Sequence, residues 1–368
     1  MQQTREAGGS VPAGSEQLAD RLFAGLLGSL ETFTVYVGVR RGLYRVLAEH
    51  GPLSPGELAA EARIHPRYAR EWLEQQAVAG ILHAEQDFDV ADPYDRRFSL
   101  PGAHARVLVA VEDPLYLGAA PLLAVGIAEA LPELLAALPT GGGVPYVSYG
   151  SDAREGIAGM NRPMFTHDLV DSWLGAMPDV MERLRRPGAR ILDLGCGHGW
   201  SSLAMARALP EVAVTGLDLD ASSVEQAQAL AGAAGMTDRV TFVHADAAAA
   251  AAEPADLVTL FECLHDMADP VGTLSAVRRG VRPGGAVLVG DERVAEAFGA
   301  PGDEVERLNY AFSVLHCLPA TRAEGARVEA GTVLRPDVVA GYAASAGFAS
   351  CEVLPVEHDL WRFYRLAP

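Results

Sequence analysis

The chain has 368 residues, 49% hydrophobic and 21% charged, a composition that excludes wholesale disorder and leaves room for two domains. With 29 Lys and Arg against 48 Asp and Glu the net charge is −19, so the average surface repels phosphate backbones and anionic lipid. Cys196, Cys263, Cys317 and Cys351 stand far apart, with no CxxC pair and no His/Cys cluster at zinc spacing, and the first residues lack an apolar signal core. The least polar stretch, 114–128, falls short of the roughly 20 residues of a bilayer span. The simplest expectation is a cytoplasmic protein that uses neither membrane nor metal.

Residues 1–14 read as a polar tail. From there Leu18, Phe23, Leu26, Leu27 and Leu30 recur at helical spacing, and a second helix is predicted over 34–48, stopped by Gly51-Pro52. Ser54 with Glu57 forms a capping-box pattern that opens a helix at 55–62, and Pro66 opens the next, ending near Gly80. Two short apolar stretches, Ile81–Glu85 and Arg97–Leu100, flank an acidic turn. Helix, turn, helix and a two-stranded wing is a winged-helix pattern. The second helix carries Glu71 and Glu74 beside Arg67 and Arg70, and the wing is acidic, which favours a dimerisation or substrate-covering module over a reader of DNA.

Residues 106–138 look helical and apolar, and Thr140-Gly-Gly-Gly-Val-Pro145 reads as a linker. The large side chains that follow, Tyr149, Met164 and Phe165 among them, suit either a core or a substrate lid. From Ala189 strands and helices alternate. Strands are predicted at 190–194, 213–217, 240–244, 257–261 and 286–289, with helices at 201–208, 222–234 and 271–281 between them, a doubly wound parallel sheet. The Ala247–Ala252 run reads as a solvent-side helix, and 350–355 with 360–366 as a closing antiparallel hairpin. The expected divisions are a tail at 1–14, a winged-helix domain at 15–140, a linker and helical lid at 141–185, and an α/β domain at 186–368.

The motif with most chemistry in it is Asp193-Leu-Gly195-Cys196-Gly197-His-Gly199-Trp200, at the first strand-to-helix turn. Glycines there let a ligand approach backbone N–H groups, but Trp200 stands where a dinucleotide fingerprint wants glycine. Asp218 ends the second strand, close to the separation of about 20 residues expected for a carboxylate that accepts from ribose hydroxyls. Asp246 ends the third. Three acids at the C-terminal ends of successive strands stand where α/β folds bind ligands.

This set resembles the class I S-adenosylmethionine-dependent methyltransferases over roughly 186–368, and the front end is similar to that of small-molecule O-methyltransferases. The resemblance implies a Rossmann-like seven-stranded sheet with its last strand antiparallel, behind a mostly α-helical winged-helix domain through which the chain pairs as a homodimer. It implies S-adenosylmethionine as cofactor, with Asp193, Gly195 and Gly197 at the methionine moiety, Asp218 at the ribose and Asp246 at the adenine; Cys196, Leu219, Ala247, Phe261 and Glu262 complete that set. Leu264-His265-Asp266 matches the His-Asp base pair of plant-type members, with Met267 where they carry an aromatic and Glu292 as the candidate supporting acid. A base of this kind suits a hydroxyl acceptor. The other reading of His265 is a helix cap or a ring packed on adenine. Tyr149, Met164, Phe165, Tyr310 and His316 are the candidate acceptor pocket, although helical spacing also puts Tyr310 and His316 in a core. A small-molecule acceptor and no nucleic acid are expected; N- or C-methylation, a non-methylating enzyme that retains the cofactor, and a cofactor-sensing regulator are the alternatives.

Overall fold

The structure, a computed structural model, describes residues 14–85, 92–248 and 254–368. The expected tail, most of the acidic wing turn and most of the Ala247–Ala252 run lie outside the described residues. The chain forms two units that divide between Ala110 and Val111, ahead of the boundary expected near 140.

In the first unit α1 (Ser15–Arg40) and α2 (Leu43–His50) replace the helix predicted over 34–48. They part at Gly42, whose left-handed φ of +67° glycine adopts without side-chain cost. α3 (Pro55–Ala62) carries the capping box: Ser54 Oγ accepts from the Glu57 N–H and Glu57 Oε2 accepts from the Ser54 N–H at 2.8 Å. After α4 (Pro66–Val78), β1 (His83–Ala84) and β2 (Phe98–Ser99) pair antiparallel as a minimal wing, followed by α5 (Gly102–Leu108). Leu43, Tyr44, Leu47, Leu58, Leu73 and Phe98 fill the core. Most of α1 stays exposed, and it and the helix Ala120–Ala137 of the second unit are long and apolar enough to cross a membrane by length and composition, which the sequence alone did not suggest.

The second unit begins with α6 (Ala120–Ala137), α7 (Gly150–His167) and α8 (Pro178–Leu184); α6 packs on α7 and has Leu122, Leu123, Ile127 and Leu134 buried. Thr140–Pro145 is not a free linker. Val144 is buried and its N–H donates to Pro319 O at 2.9 Å, and a side chain on Gly143 would collide with Ala323. Then β3 (Arg190–Leu194), α9 (Trp200–Ala208), β4 (Ala213–Asp218), α10 (Ala221–Ala233), β5 (Val240–His244), β6 (Ala255–Phe261), α11 (Pro270–Gly280) and β7 (Val281–Glu292) alternate. α12 (Glu304–Phe312), α13 (Leu318–Ala323) and α14 (Pro336–Ser345) precede the hairpin of β8 (Ser350–Val353) and β9 (Trp361–Ala367). The sheet order is β5-β4-β3-β6-β7-β9-β8, parallel from β5 to β7 with β9 antiparallel to both its neighbours. All seven residues of β6 are buried, as a central strand covered on both faces requires.

One face of the sheet holds an aromatic cluster. Phe261 stacks on Trp361, Phe165 lies 5.5 Å from Phe261, and Trp173 lies 4.6 Å from Phe363. Phe165 and Phe261, expected in the acceptor pocket and the cofactor set, are therefore core residues: both are under 9% exposed and closed in by rings. Met164 packs on the edge of the same cluster.

Candidate active site

The chain leaves β3 towards β4 on one side and later enters β6 on the other, so the strand order reverses between β3 and β6 and opens a crevice at their C-terminal ends. Gly195 leaves β3 at φ +63°, and a Cβ there would lie 2.6 Å from that of Cys263, so only glycine lets the two loops meet. The Cys263 thiol donates to Leu194 O at 3.2 Å. A Cβ on Gly197, by contrast, would meet nothing within 4 Å, so the loop offers its backbone to open space.

The three acids at this edge do different things. Asp193 is 1% exposed and accepts from the Ser201 and Ser202 hydroxyls at 2.6 Å and from Thr259 at 2.7 Å. It pins the start of α9 and the middle of β6 beneath the loop and does not reach the crevice, which corrects the expectation of direct ligand contact. Cys196 likewise turns its thiol into the core towards Gly216. Asp218 accepts from the Gly197 N–H at 2.7 Å and the Asp220 N–H at 2.8 Å, one bond per oxygen, which leaves lone pairs for vicinal hydroxyls. Burial holds its carboxyl above the usual range against those two donors. Leu219 beside it is exposed, and Asp246 is exposed apart from an Ala248 N–H donated at 2.7 Å. An open glycine, a half-free carboxylate, an exposed leucine and a second exposed acid fit a nucleoside with a polar tail. The residues present therefore suit S-adenosylmethionine.

Helix α7 spans this edge. Arg154 makes two bonds to Asp220, at 2.8 and 3.2 Å, Asn161 donates to Glu262, and the Arg162 guanidinium lies 4.0 Å over the Trp200 ring. Glu262 sits at φ +48°, unusual for a residue with a side chain, and also accepts from Trp361 Nε1 at 3.2 Å. It ties α7 and β9 to the end of β6.

At the turn after β6, His265 is 2% exposed. Its Nδ1 lies 2.9 Å from Asp291 Oδ1 and 3.3 Å from Glu292 Oε2, and its Nε2 lies 3.4 Å from Asp266 Oδ1. Burial alone would lower the imidazole, but the charges of Asp266, Asp291 and Glu292 outweigh it and hold it well above its ordinary value. Burial raises the Asp291 carboxyl, and the facing imidazolium more than reverses this, leaving it low. Burial, with Asp291 beside it, pushes the Glu292 carboxyl well up. Asp291, next to the predicted Glu292, is the better partner of His265. Neighbours in a strand point to opposite faces, and the sequence does not say which face His265 occupies.

Next to Asp266 lies a second buried polar cluster. Tyr149 is fully buried, donates to Leu315 O at 2.9 Å and meets the His316 ring edge-on at 4.5 Å. Tyr310 is elsewhere, accepting from Arg335 at 3.2 Å. Cys317 Sγ lies 3.5 Å from His316 Nδ1 and within 4.8 Å of His265 and Asp266. The sequence reading missed Arg154, Asn161, Asp291 and Cys317. Only Arg154 and Asn161 left a trace, as polar residues on one face of a helix.

Comparison with known proteins agrees with this geometry. A family profile for a methyltransferase domain matches residues 191–285, and one for an Rv2258c-like winged HTH domain matches 29–110. The 27-O-demethylrifamycin SV methyltransferase of Amycolatopsis mediterranei is 38% identical over 128 residues, 34% of this chain and 44% of that protein. A ubiquinone biosynthesis O-methyltransferase of Aromatoleum aromaticum is 32% identical over 178 residues, 47% of this chain and 69% of that one. The chain thus spans less than half of the first relative and about two thirds of the second. The structure of human N-acetylserotonin methyltransferase in complex with SAM superposes with a TM-score of 0.68 over 98% of this chain and 99% of that one, at 17% identity, a likeness of fold. With a glycine loop, ribose-type acid and reversed strand order in these places, the chain belongs to the class I S-adenosylmethionine-dependent methyltransferases and carries a winged-helix domain ahead of its methyltransferase domain.

Proposed function

We propose that the protein methylates a hydroxyl of a small, partly aromatic molecule. The observation that carries this reading is the His265 imidazole, held through Nδ1 by Asp291 with Nε2 turned to Asp266 and Cys317. When bound, the cofactor supplies an electrophilic methyl group on a sulfonium. Asp218 would accept from the ribose hydroxyls, Leu219 and Ala247 would flank the adenine, Asp246 would accept from its amino group, and the Gly197 backbone would line the methionine end. His265 takes the proton of the acceptor hydroxyl at Nε2, and Asp291 balances the imidazolium that forms. A buried pocket beside an aligned acceptor also removes the entropy of bringing reactants together. The two relatives are named as methyltransferases of a rifamycin and of ubiquinone biosynthesis, which supports a small acceptor.

The reading includes a homodimer formed through the N-terminal unit and a cytoplasmic setting. DNA binding finds little support, because the cations of α4 are paired with its own acids, Arg67 with Glu71 and Arg70 with Glu74. The test is release of S-adenosylhomocysteine over a panel of phenols. His265→Ala should slow turnover by roughly 10²–10⁴ with cofactor affinity kept. Undiminished turnover in that variant would remove the base from the mechanism.

A further inference from the structure

His265 and Cys317 belong to distant segments that the fold brings together. His265 and Asp266 lie in the turn after β6, and Cys317 closes a π turn, Ser313–Cys317, an irregularity that often marks a functional site. A ring nitrogen of His265, a carboxylate oxygen of Asp266 and the Cys317 sulfur all lie within 4.8 Å of one another. Nitrogen, oxygen and sulfur converging on one point make a donor set for a zinc-like ion, whereas magnesium and calcium take oxygen ligands. No zinc-type spacing announces this set, since its members stand far apart in the chain.

The distances suit coordination better than hydrogen bonding. His265 Nε2 and Asp266 Oδ1 are 3.4 Å apart, beyond the usual hydrogen-bond range. Two such ligands on one tetrahedral zinc stand about 3.3–3.6 Å apart. Asp266 Oδ1 is moreover buried without a hydrogen-bond partner among the described residues, which is rare for a carboxylate oxygen. The sulfur, which also hydrogen-bonds to His265 and Thr332, need shift by no more than about 1 Å to join them. Asp291 holds the far nitrogen of the same ring, Nδ1, at 2.9 Å, the carboxylate–histidine arrangement that orients a metal-binding imidazole. His316 Nδ1, 3.5 Å from the sulfur, is placed to donate to a thiolate. The Asp266 side chain is 36% exposed, so an ion has a way in from solvent. The other set around this ring, His265 with Asp291 and Glu292, has no comparably exposed member, and its 2.9 Å hydrogen bond would have to break.

We propose that His265 Nε2, Asp266 and the Cys317 thiolate bind a zinc-like divalent cation, with a fourth position left for water, and that this ion inhibits the enzyme. Sulfur and nitrogen bind as the thiol and the imidazolium each release a proton to solvent. The bound ion occupies the lone pair with which His265 takes the acceptor's proton. The inhibition therefore rests on the proposed reaction, and the site itself does not.

The experiment uses tag-free, full-length protein stripped of metal by a chelator, with Zn²⁺ and Co²⁺ as the probes. Calorimetry should find one Zn²⁺ per chain, and Co²⁺ should give tetrahedral visible absorption with a sulfur-to-cobalt charge-transfer band in the near ultraviolet. Cys317→Ser should abolish that band and weaken Zn²⁺ binding by at least ~10-fold, while Cys351→Ser, in β8, should keep both. Asp266→Asn, which retains the sulfur, should keep the band and weaken Zn²⁺ by a similar factor, and it decides the matter if circular dichroism shows Cys317→Ser unfolded. Wild-type turnover should fall as Zn²⁺ binds and return when chelator is added. Failure of wild type to bind Zn²⁺ stoichiometrically, or a charge-transfer band that survives in Cys317→Ser, overturns the site. Zn²⁺ bound with the band present but turnover unchanged would overturn His265 as the base and leave the site standing.

Discussion

Three carboxylates crowd one imidazole at His265, and which of them holds the charge decides how the site works. Asp291 is closest, at 2.9 Å, and the imidazole holds its carboxyl low, while burial, with Asp291 beside it, pushes Glu292 well up. Replacing Asp291 alone would let Glu292 ionise and take over, so the informative change is Asp291→Asn with Glu292→Gln. In wild type the rate should rise with pH to a limb well above the ordinary histidine value of 6.5, since the charged partners keep His265 protonated. In the double variant that limb should move to lower pH and its plateau should fall by roughly 10²–10⁴, because the ring loses its orientation. A limb that stays in place would mean that another group sets it. Stability follows the same pair. The raised His265 contributes fully below 6.5 and loses its contribution as pH rises through its folded value; the lowered Asp291 contributes above 3.8 and loses it as pH falls through its own. The double variant should therefore differ most from wild type in Tm between those two values.

At the scale of elements, β3 and β5 fall where the sequence put them, β3 as an apolar run buried from Ile191 to Leu194 and β5 as a β-branched and aromatic stretch with Val240 and Phe242 turned inward. The glycine loop and Asp218 stand at the ends of strands the sequence shows, and Asp246 two residues beyond the third. Phe165 and Phe261 were not legible, since a large apolar side chain serves a lid and a core equally well and only packing separates them. Least legible was α7, whose bonds to Asp220 and Glu262 join residues far apart in sequence. Those bonds make α7 a strap over the cofactor edge, and Arg154, 9% exposed, is its anchor. Arg154→Met should leave the half-buried Asp220 with only the cap it gives Ser223, costing about 1–3 kcal/mol of stability and weakening S-adenosylmethionine binding about tenfold. Faster amide exchange over 150–167 should accompany the loss. Calorimetry that returned wild-type affinity would reduce the pair to scaffold.

At the scale of the whole molecule, the first helix is the feature the fold of one chain does not account for. Leu18, Leu22, Phe23, Leu26, Leu27, Leu30, Phe33 and Val37 are each between 41 and 69% exposed, at spacings of three and four residues that line them along α1. Contiguous apolar stripes of this kind are uncommon on monomers, and a chain of net charge −19 has other ways to stay soluble. A second copy supplies the same stripe, and two such helices can bury each other in an isologous contact. Leu22→Glu with Leu26→Glu places four carboxylates in that contact across the pair. Each leucine is already about half exposed, so losing the four costs roughly 3–6 kcal/mol, a 10²–10⁴-fold weaker dimer. Light scattering at micromolar concentration should then show a dimer for the wild type and a monomer with unchanged circular dichroism for the variant. A wild type that is monomeric at every concentration would leave the stripe to another partner. A variant that remains dimeric would move the contact off α1.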